Sequence, residues 1–362
     1  MENSEKRKEP LYIQIYHALK RKVWQGEYVA GDRLPSEREL GLHYSVERAT
    51  VRRALSLLVN DGLVEKVPGY GTRVRDYSLN YSKSESKNIL FFLPKNKDET
   101  DILVRPFNAI LFNTIQDECM KHGYNLIYST ICAQDDLKTI INQSQASGII
   151  FVSTIPVQHL NEAAQLEIPS VLVNHFHPEL ISIVIDTERG AFMCTNHLIS
   201  LGHKNVAYIG GLDGYITQEE LFSGYKRAFY EAGYDWRKQI SEHGNWTFAG
   251  GYEAMKRILE RKEELPSAIF VGNDVMAFGA IMAIKEKGLK VPDDISVAGF
   301  DDIEANTYYS EQLTTIKIDI NAIGRIACQM LFNSINFSQN HHLKIVCPVE
   351  LIVRNTTREF FG

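Results

Sequence analysis

The sequence predicts an α/β chain in which two parallel β-sheets flanked by helices follow a small α+β domain. Short apolar strands alternate with helical segments from Asn88 onward, which indicates parallel sheets covered on both faces. Three helical patterns and a glycine turn fill residues 1–75, and the polar, serine-rich residues 76–87 predict a linker between the two parts. A length of 362 residues also exceeds that of one ordinary domain.

The N-terminal region is predicted to open with two helices. The first runs from Leu11 to Trp24, because its apolar residues recur on one face. Ser36 and Glu39 have the spacing of a capping box and predict a second, shorter helix, to which Leu40 and Leu42 supply apolar contacts.

The segment between Glu47 and Asn60 predicts a third helix with two different faces. One face is apolar, with residues at spacings of three and four: Val51, Ala54, Leu55, Leu58 and Val59. The other face carries Arg48, Thr50, Arg52, Arg53 and Ser56. Such arginines offer guanidinium groups to phosphates or guanine edges, although on an isolated helix a basic face is more often simply solvated. Two short helices of this kind have the form of a helix-turn-helix.

A hairpin predicted after the third helix favours a nucleic-acid interface over a solvated face. Leu63–Lys66 and Thr72–Val74 have the composition of strands around a turn at Gly69–Gly71. Residues 1–76 hold 14 Lys and Arg against 11 Asp and Glu, a net charge of +3, whereas the rest of the chain carries −9. A basic head on an acidic body is expected if only the head meets a polyanion.

Three motifs of the head resemble the winged helix-turn-helix of the GntR family of bacterial regulators. They are Leu34-Pro35-Ser36-Glu37-Arg38-Glu39-Leu40, Val46-Glu47-Arg48-Ala49-Thr50-Val51-Arg52-Arg53-Ala54-Leu55 and Gly69-Tyr70-Gly71-Thr72. The resemblance implies phosphate and base-edge contacts from Arg38, Arg48, Thr50 and Arg52, and an approach to the minor groove by Gly69, Tyr70 and Gly71. Glu47 stands where the family usually has a capping serine, and glutamate is a poor cap.

The body alternates between strands and helices over its whole length. The predicted strands are Asn88–Leu93, Asn125–Thr130, Gly148–Ser153, Ser170–Asn174, Ser182–Asp186, Val206–Gly210, Ala268–Gly272, Ile295–Phe300 and Thr314–Ile318. The predicted helices include Phe107–His122, Glu220–Ala232, Ala249–Arg261 and Asp274–Lys287. This many strands favour two sheets side by side, and the cleft between them is the natural place for a ligand.

Longer motifs in the body resemble the effector domain of the LacI/GalR family, which is itself similar to periplasmic sugar-binding proteins. They are Leu198–His203, Val206–Gly211, Asn273–Ala280, Gly288–Asp302, Leu313–Ile316 and Glu350–Arg354. The resemblance implies a two-lobed periplasmic-binding-protein-like fold for residues 88–362, after a GntR-like head at 1–75 and a linker at 76–87. Lobe 1 is expected at about 88–186 and 318–346, and lobe 2 at about 187–317 and 347–362. This combination is similar to the arabinose-repressor type of bacterial regulator.

The same resemblance places six ligand contacts in the cleft: Phe107, Asn108, Asp186, Trp246, Asn273 and Asp301. An aromatic platform suits the apolar face of a sugar ring, and amide and carboxylate groups suit its hydroxyl rim. Structural alternatives stay open, since Trp246 fits a core position and Asp186 fits a helix cap. Related repressors commonly have an arginine where this chain has Leu221, which argues against an anionic effector unless Arg105 or Arg189 substitutes.

The sequence carries no pattern that predicts an enzyme, a metal site or a cofactor. The pairs His175/His177 and His341/His342 have no cysteine or carboxylate cluster at ligand spacing, and residues 210–214 lack the lysine of a phosphate loop. The five cysteines are scattered, as expected for buried free thiols. Neither a signal peptide nor a membrane span is found, which predicts a cytoplasmic protein.

These observations predict a one-component transcription regulator, a repressor and not an enzyme, that works as a homodimer without contact to a membrane. Its expected partners are a palindromic double-stranded DNA operator and a small-molecule effector, a mono- or oligosaccharide. Two alternatives keep the DNA-binding head but give the body a non-sugar ligand, such as a purine, or a partner protein. A head fused to an aminotransferase body is a third alternative, which predicts a longer chain and a pyridoxal-binding lysine.

Overall fold

A computed structural model of the chain describes residues 10–24, 27–28, 31–60, 63–67, 69–74, 87–95, 102–166, 168–261, 264–308, 310–337 and 343–361. They belong to two compact units, Met1–Glu85 and Ser86–Gly362. The predicted linker lies outside the described residues except for Lys87, and so does the pair His341/His342. Within the described ranges, no helix combines the length and apolar character that a membrane crossing requires.

The N-terminal unit contains three helices and a hairpin, which confirms the predicted winged helix-turn-helix. The helices are α1 (Leu11–Trp24), α2 (Glu37–Tyr44) and α3 (Arg48–Asn60), and the antiparallel strands are β1 (Val64–Val67) and β2 (Gly71–Val74). Residues 31–34 extend the hairpin on its β2 side. There the Leu34 N–H donates to the Thr72 carbonyl (2.8 Å) and the Val74 N–H donates to the Asp32 carbonyl (2.7 Å).

The packing of this unit follows its sequence pattern with one exception. The capping box of Ser36 and Glu39 is present at the start of α2, and Ser45 in the left-handed conformation ends that helix. The buried side chains of α3 are Val51, Ala54, Leu55 and Leu58. The predicted apolar contact of Leu42 was wrong, since its side chain is 73% exposed. Leu40 is buried, and residues two apart on a helix point in nearly opposite directions.

Six parallel strands form the first sheet of the body. They are β3 (Asn88–Pro94), β4 (Asn125–Ile131), β5 (Ala146–Val152), β6 (Ser170–Val173), β7 (Ile181–Ile185) and β13 (Lys344–Cys347), in the order β13-β7-β6-β5-β3-β4. Phe91 packs against α4 (Pro106–Lys121) and α11 (Ile320–Phe337), while the next residue, Phe92, packs against α5 (Leu137–Ser144) and α6 (Val157–Gln165). Helices on both faces explain why these strands are apolar throughout.

Four parallel strands form the second sheet, and a two-stranded ribbon follows. The sheet strands are β8 (Val206–Gly210), β9 (Ser241–His243), β10 (Ala268–Val271) and β11 (Ser296–Ala298), in the order β11-β10-β8-β9. The flanking helices are α7 (Thr187–Ser200) and α8 (Ile216–Glu231) on one face and α9 (Phe248–Leu259) and α10 (Asp274–Glu286) on the other. The antiparallel ribbon pairs β12 (Thr315–Lys317) with β14 (Glu350–Ile352).

The α/β class and all nine predicted strands are confirmed, with bounds that differ from the predicted ones by at most two residues. Buried parallel strands appear in a sequence as short apolar runs, which makes them easy to find. Helix α8 begins four residues before its predicted start at Glu220. Its first turn lies beside the cleft described below and therefore carries polar residues.

Two glycines set the distance between α9 and α10. A Cβ atom at Gly279 of α10 would overlap the backbone of α9 at Phe248, and a Cβ atom at Gly251 of α9 would overlap α10 at Met276. Only hydrogen fits at either position, so the two helix backbones lie in direct contact.

We expect Gly279→Ala to lower the free energy of unfolding by about 1–3 kcal/mol, because the added methyl group forces α9 and α10 apart. Urea unfolding followed by circular dichroism measures this change. Lys287→Ala, on the exposed surface after the same helix, is the control and should change the free energy by less than about 0.5 kcal/mol. An unchanged urea midpoint in Gly279→Ala would contradict the close packing.

Candidate functional site

A cleft opens in the body between the two sheets, at the carboxyl ends of their strands. It encloses about 740 Å³, open solvent included. Five of the six predicted ligand contacts line it: Phe107, Asn108, Trp246, Asn273 and Asp301. Parallel strands end at the same edge of a sheet, so residues that are distant in the sequence meet here.

Trp246 forms the aromatic platform of the cleft. Its backbone is left-handed (φ 62°), and the Asn273 side-chain amide donates to its carbonyl oxygen (3.5 Å). The indole lies directly on the backbone of Gly211, where a Cβ atom would overlap the six-membered part of the ring system. The Gly211 N–H donates to Oε1 of the buried Gln218 (2.7 Å), which fixes this stretch of backbone under the indole. The orientation of the platform therefore depends on the glycine that follows β8.

Asp301 brings a carboxylate to the same side of the cleft. It lies three residues beyond β11 with a left-handed backbone (φ 114°), and its N–H donates to the Ile316 carbonyl (2.8 Å). Desolvation raises the pKa of Asp301, and the neighbouring carboxylate of Asp274 raises it further. A carboxylate in such surroundings is stabilised by any ligand that donates hydroxyl hydrogen bonds to it.

The carboxylate of Asp274 lies fully buried behind the cleft. Its Oδ1 accepts a hydrogen bond from the Thr315 hydroxyl (2.5 Å), and its Oδ2 accepts from the Ile303 N–H (3.0 Å) and the Asn306 side-chain amide (3.1 Å). Burial nevertheless raises the pKa of Asp274 to about 7. The same network tightens the turn that carries Asp301.

The N-terminus of α4 supplies the opposite side of the cleft. Phe107 is half-buried, and Asn108 is 6% exposed with its side-chain amide donating to the Ile102 carbonyl (2.8 Å). Asn108 therefore braces the helical turn at 102–104 as well as lining the cleft. Arg105, the residue before the helix, lines the cleft too.

Asp186 is the predicted contact that the described lining of the cleft does not include, although both of its neighbours belong to it. Ile185 and Thr187 line the cleft, and Asp186 precedes α7 without a side-chain capping bond. Asp186 is half-buried between β7 and α7, and its N–H donates to the Cys347 carbonyl (3.0 Å). Its assignment as a ligand contact stays a prediction.

Five polar residues of the lining were not predicted from the sequence: Ser153, Asn174, Thr187, Tyr215 and Thr217. The Asn174 amide donates to the Thr217 hydroxyl (3.3 Å) and so joins the end of β6 to the start of α8. The position of Ser153 and Asn174 in the sequence could have identified them, because they stand at the carboxyl ends of predicted strands, where ligands bind in α/β folds. Leu221 is fully buried in the hydrophobic core and is not among the residues that line the cleft. Its Cδ1 would lie 3.2 Å from a Cβ atom at Gly272, which does line the cleft, so the side chain behind Gly272 is apolar.

His177 and the cysteines of the body lie in the interior of the protein or form hydrogen bonds within it. The His177 ring Nε2 lies 3.0 Å from Asn161 Oδ1, and its backbone N–H donates to the Ser182 hydroxyl. The thiols are not in disulfides, and all but Cys132 are buried. In the part of the chain that the structure describes, no three His, Cys, Asp or Glu side chains are grouped as metal ligands would be.

The predicted DNA contacts of the head lie on exposed parts of α2, α3 and the hairpin tip. Arg38 and Arg48 are exposed, Thr50 is half-buried, and Gly69, Tyr70 and Gly71 are exposed at the tip. Arg52 is exposed as well, but Glu37 holds its guanidinium group. Arg52 Nη2 donates to Glu37 Oε2 (2.8 Å), and Nε lies 3.2 Å from both carboxylate oxygens. This ion pair lowers the pKa of Glu37 and fixes the plane of the guanidinium group.

Glu47 and Arg53 determine where α3 begins and how it contacts α1. The Glu47 carbonyl accepts the N–H groups of Thr50 (3.0 Å) and Val51 (3.3 Å), so Glu47 begins the helix while its side chain is exposed. The Arg53 guanidinium lies 4.0 Å above the centre of the Tyr12 ring. Arg53 therefore ties α3 to α1 and has a role inside the head.

Comparison with known protein families matches both units. Residues 11–74 match the family described as bacterial regulatory proteins, gntR family, and residues 195–357 match the periplasmic binding protein-like domain. Catabolite control protein A of Priestia megaterium is 33% identical over 260 residues, which cover 70% of this chain and 78% of that protein.

Solved structures show the same fold. A LacI family transcriptional regulator from Enterococcus faecium with bound ribose has a TM-score of 0.68 at 22% identity, covering 76% of this chain and 100% of the other. The lac repressor dimer bound to operator and the anti-inducer ONPF has a TM-score of 0.66 at 25% identity, covering 78% and 96%. The chain thus belongs to the LacI-type family of bacterial transcription regulators and carries a GntR-family DNA-binding head in front of its periplasmic-binding-protein-like body.

Proposed function

We propose that the chain is a repressor that binds a palindromic operator as a homodimer and senses a sugar in the cleft of its body. The platform of Trp246 beside polar groups is the observation that carries the sugar assignment. The similarly folded regulator from Enterococcus faecium, described with bound ribose, supports the same ligand class. The proposal includes domain boundaries at 1–75, 76–87 and 88–362, no catalytic activity, and action in the cytoplasm, where bacterial operators are found.

The chemistry of the cleft suits a polyhydroxylated ring. A sugar ring has an apolar face that packs on an indole and a rim of hydroxyl groups that need hydrogen-bond partners when water is excluded. When ionised, Asp301 offers only hydrogen-bond acceptors, and hydroxyl donors of a ligand offset the desolvation that raises its pKa. Asn174, Thr217 and Ser153 supply further polar groups from both sides of the cleft.

The absence of an arginine at position 221 favours an uncharged effector. The position commonly occupied by arginine in related repressors is here an apolar, buried side chain. A carboxylate or phosphate placed there would lack a guanidinium partner and would lie in the same cleft as the Asp301 carboxylate. Arg105 also lines the cleft and already interacts within the protein. We therefore propose a neutral mono- or oligosaccharide.

Operator binding is proposed from the exposed arginines of α3 and from the hairpin tip. Arg48 and Arg52 stand one helical turn apart on the same exposed face, as a recognition helix requires. The lac repressor, described as a dimer on its operator, supports a dimer for this chain. A two-fold dimer presents two identical heads, so its operator consists of two inverted half-sites.

A thermal-shift screen tests the effector class. Neutral monosaccharides and disaccharides are compared with sugar phosphates, nucleosides and purines, and we expect a neutral sugar to raise the melting temperature by mass action. Trp246→Ala and Asp301→Asn should remove that shift while circular dichroism shows that they are folded. Trp236→Ala is the matched control, because that indole packs edge-on against Phe222 and is not part of the cleft lining.

Each other outcome of the screen favours a specific alternative to a sugar effector. A shift with purines or sugar phosphates alone would assign the cleft to that class. If no compound shifts the melting temperature, the sugar proposal fails and the body is assigned to a protein partner.

Gly211→Ala tests how the platform is positioned. The methyl group must displace the Trp246 indole, so we expect the sugar found in the screen to bind roughly tenfold more weakly, the equivalent of about 1.4 kcal/mol of aromatic contact. Isothermal titration calorimetry measures the affinity. Gly233→Ala strains a backbone of φ 76° with nothing within 4 Å, and should leave the affinity unchanged. Wild-type affinity in Gly211→Ala would show that the indole is positioned independently of this glycine.

Arg52→Ala tests the recognition helix. An operator is first recovered by in vitro selection from a random DNA duplex library, and its affinity is measured by fluorescence anisotropy at fixed salt. We expect a loss of about 1–3 kcal/mol, the usual contribution of a base-reading arginine. Arg53→Ala, on the same helix but stacked on Tyr12, is the control and should lose less. An Arg52→Ala variant with unchanged affinity would remove α3 from the proposed interface.

A further inference from the structure

Arg33 is an arginine of the head that lies beside the hairpin tip and is not among the proposed DNA contacts. It forms an antiparallel bridge with Arg73 of β2, and residues 31–34 thereby add a third short strand to the hairpin. Arg73 in turn pairs with Glu65 of β1. Directly opposed residues of antiparallel strands lie on the same face, so Glu65, Arg73 and Arg33 form a row across the three strands.

Only one of the two arginines in this row is neutralised. Arg73 Nε donates to Glu65 Oε1 at 2.7 Å. No carboxylate among the described residues lies within ion-pair distance of Arg33, whose side chain is exposed. The Arg33 guanidinium extends instead toward the tip of the hairpin, where its Cζ lies 5.7 Å from the centre of the Tyr70 ring.

Gly71 provides the space for this arrangement. Its backbone has a φ of 111°, and a Cβ atom there would lie 3.2 Å from Arg33 Nε. The Arg33 side chain therefore lies along the backbone of the tip, and the exposed Tyr70 ring restrains its guanidinium group. A guanidinium group that is held on one side by an aromatic ring presents its N–H groups in a restricted direction, at a low entropy cost.

We propose that Arg33 and Tyr70 act together as a reader of the minor groove, in which the Arg33 guanidinium selects A·T base pairs beside the hairpin tip. This inference rests on the proposed operator binding and specifies the DNA that the tip recognises. The minor-groove edge of an A·T pair offers only acceptors, adenine N3 and thymine O2, whereas a G·C pair adds the guanine amino donor. A narrow A·T-rich groove also has a stronger negative potential, which attracts an inserted arginine.

Base analogues separate this reading from a simple phosphate contact. The probe is the duplex recovered by selection with the full-length wild-type protein, with its adenines replaced one at a time by 2,6-diaminopurine. This analogue keeps the major-groove groups of adenine and adds the guanine-type amino group to the minor groove. We expect the wild type to bind at least one substituted duplex roughly tenfold more weakly, as for a mismatched base pair. Arg33→Ala should bind that duplex and the parent duplex equally.

Two further variants sharpen the test. Arg33→Lys keeps the positive charge but lacks the planar fork, so it should keep the salt dependence of binding and lose the discrimination against 2,6-diaminopurine. Arg73→Ala is the matched control from the same row and should discriminate like the wild type. Circular dichroism establishes that each variant is folded.

The remaining outcomes overturn the inference. A wild type that tolerates 2,6-diaminopurine at every adenine, or an Arg33→Ala variant that keeps the full penalty, removes Arg33 from minor-groove reading. An equal loss of affinity by Arg33→Ala on parent and substituted duplexes, with no penalty in the wild type, assigns Arg33 to a phosphate. If the wild type selects no duplex at all, operator binding itself fails, and this inference fails with it.

Discussion

The buried carboxylate of Asp274 holds together the segments on which the cleft depends. Its three hydrogen bonds join the start of α10 to the turn after β11 and to β12. Asn273 precedes it in the chain, and Asp301 lies on the turn that it tightens, so the positions of two proposed ligand contacts follow from one network. The three donors favour the charged form of Asp274 and offset part of its desolvation, while burial still raises its pKa to about 7.

The fold could be predicted from the sequence more completely than the cleft. Buried strands appear as continuous apolar runs in the sequence, whereas the cleft residues have no common pattern. Apolar runs marked every predicted strand, since parallel strands between two layers of helices are buried on both faces. The residues that line the cleft share no periodicity and meet only when the sheets lie side by side. Asn174 and Thr217 show this, since they stand 43 positions apart and share a hydrogen bond.

The family resemblance supplied most of the proposed site, and the features that the sequence did not supply have local causes. Five of its six ligand positions line the cleft, while Asp186 stands between two residues that line it. Leu42 was assigned to the interior of the head by composition alone, although α2 is too short for periodicity to fix its buried face. Gly211 lies in a motif of the body, but its role beneath Trp246 could not be predicted, because what matters there is a side chain that is absent.

The ion pair between Glu37 and Arg52 bears on how the head distinguishes its operator from the rest of the chromosome. In the proposed operator complex, Arg52 leaves the carboxylate for a guanine edge, whose two acceptors replace the two oxygens of Glu37. On DNA without a guanine at that place, Arg52 can stay paired with Glu37. On that proposal, the carboxylate weakens attachment to arbitrary DNA more than attachment to the operator. Because a regulator faces on the order of 10⁶ competing DNA sites, its occupancy of the operator depends more on the ratio of its affinities for the operator and for other DNA than on either affinity alone.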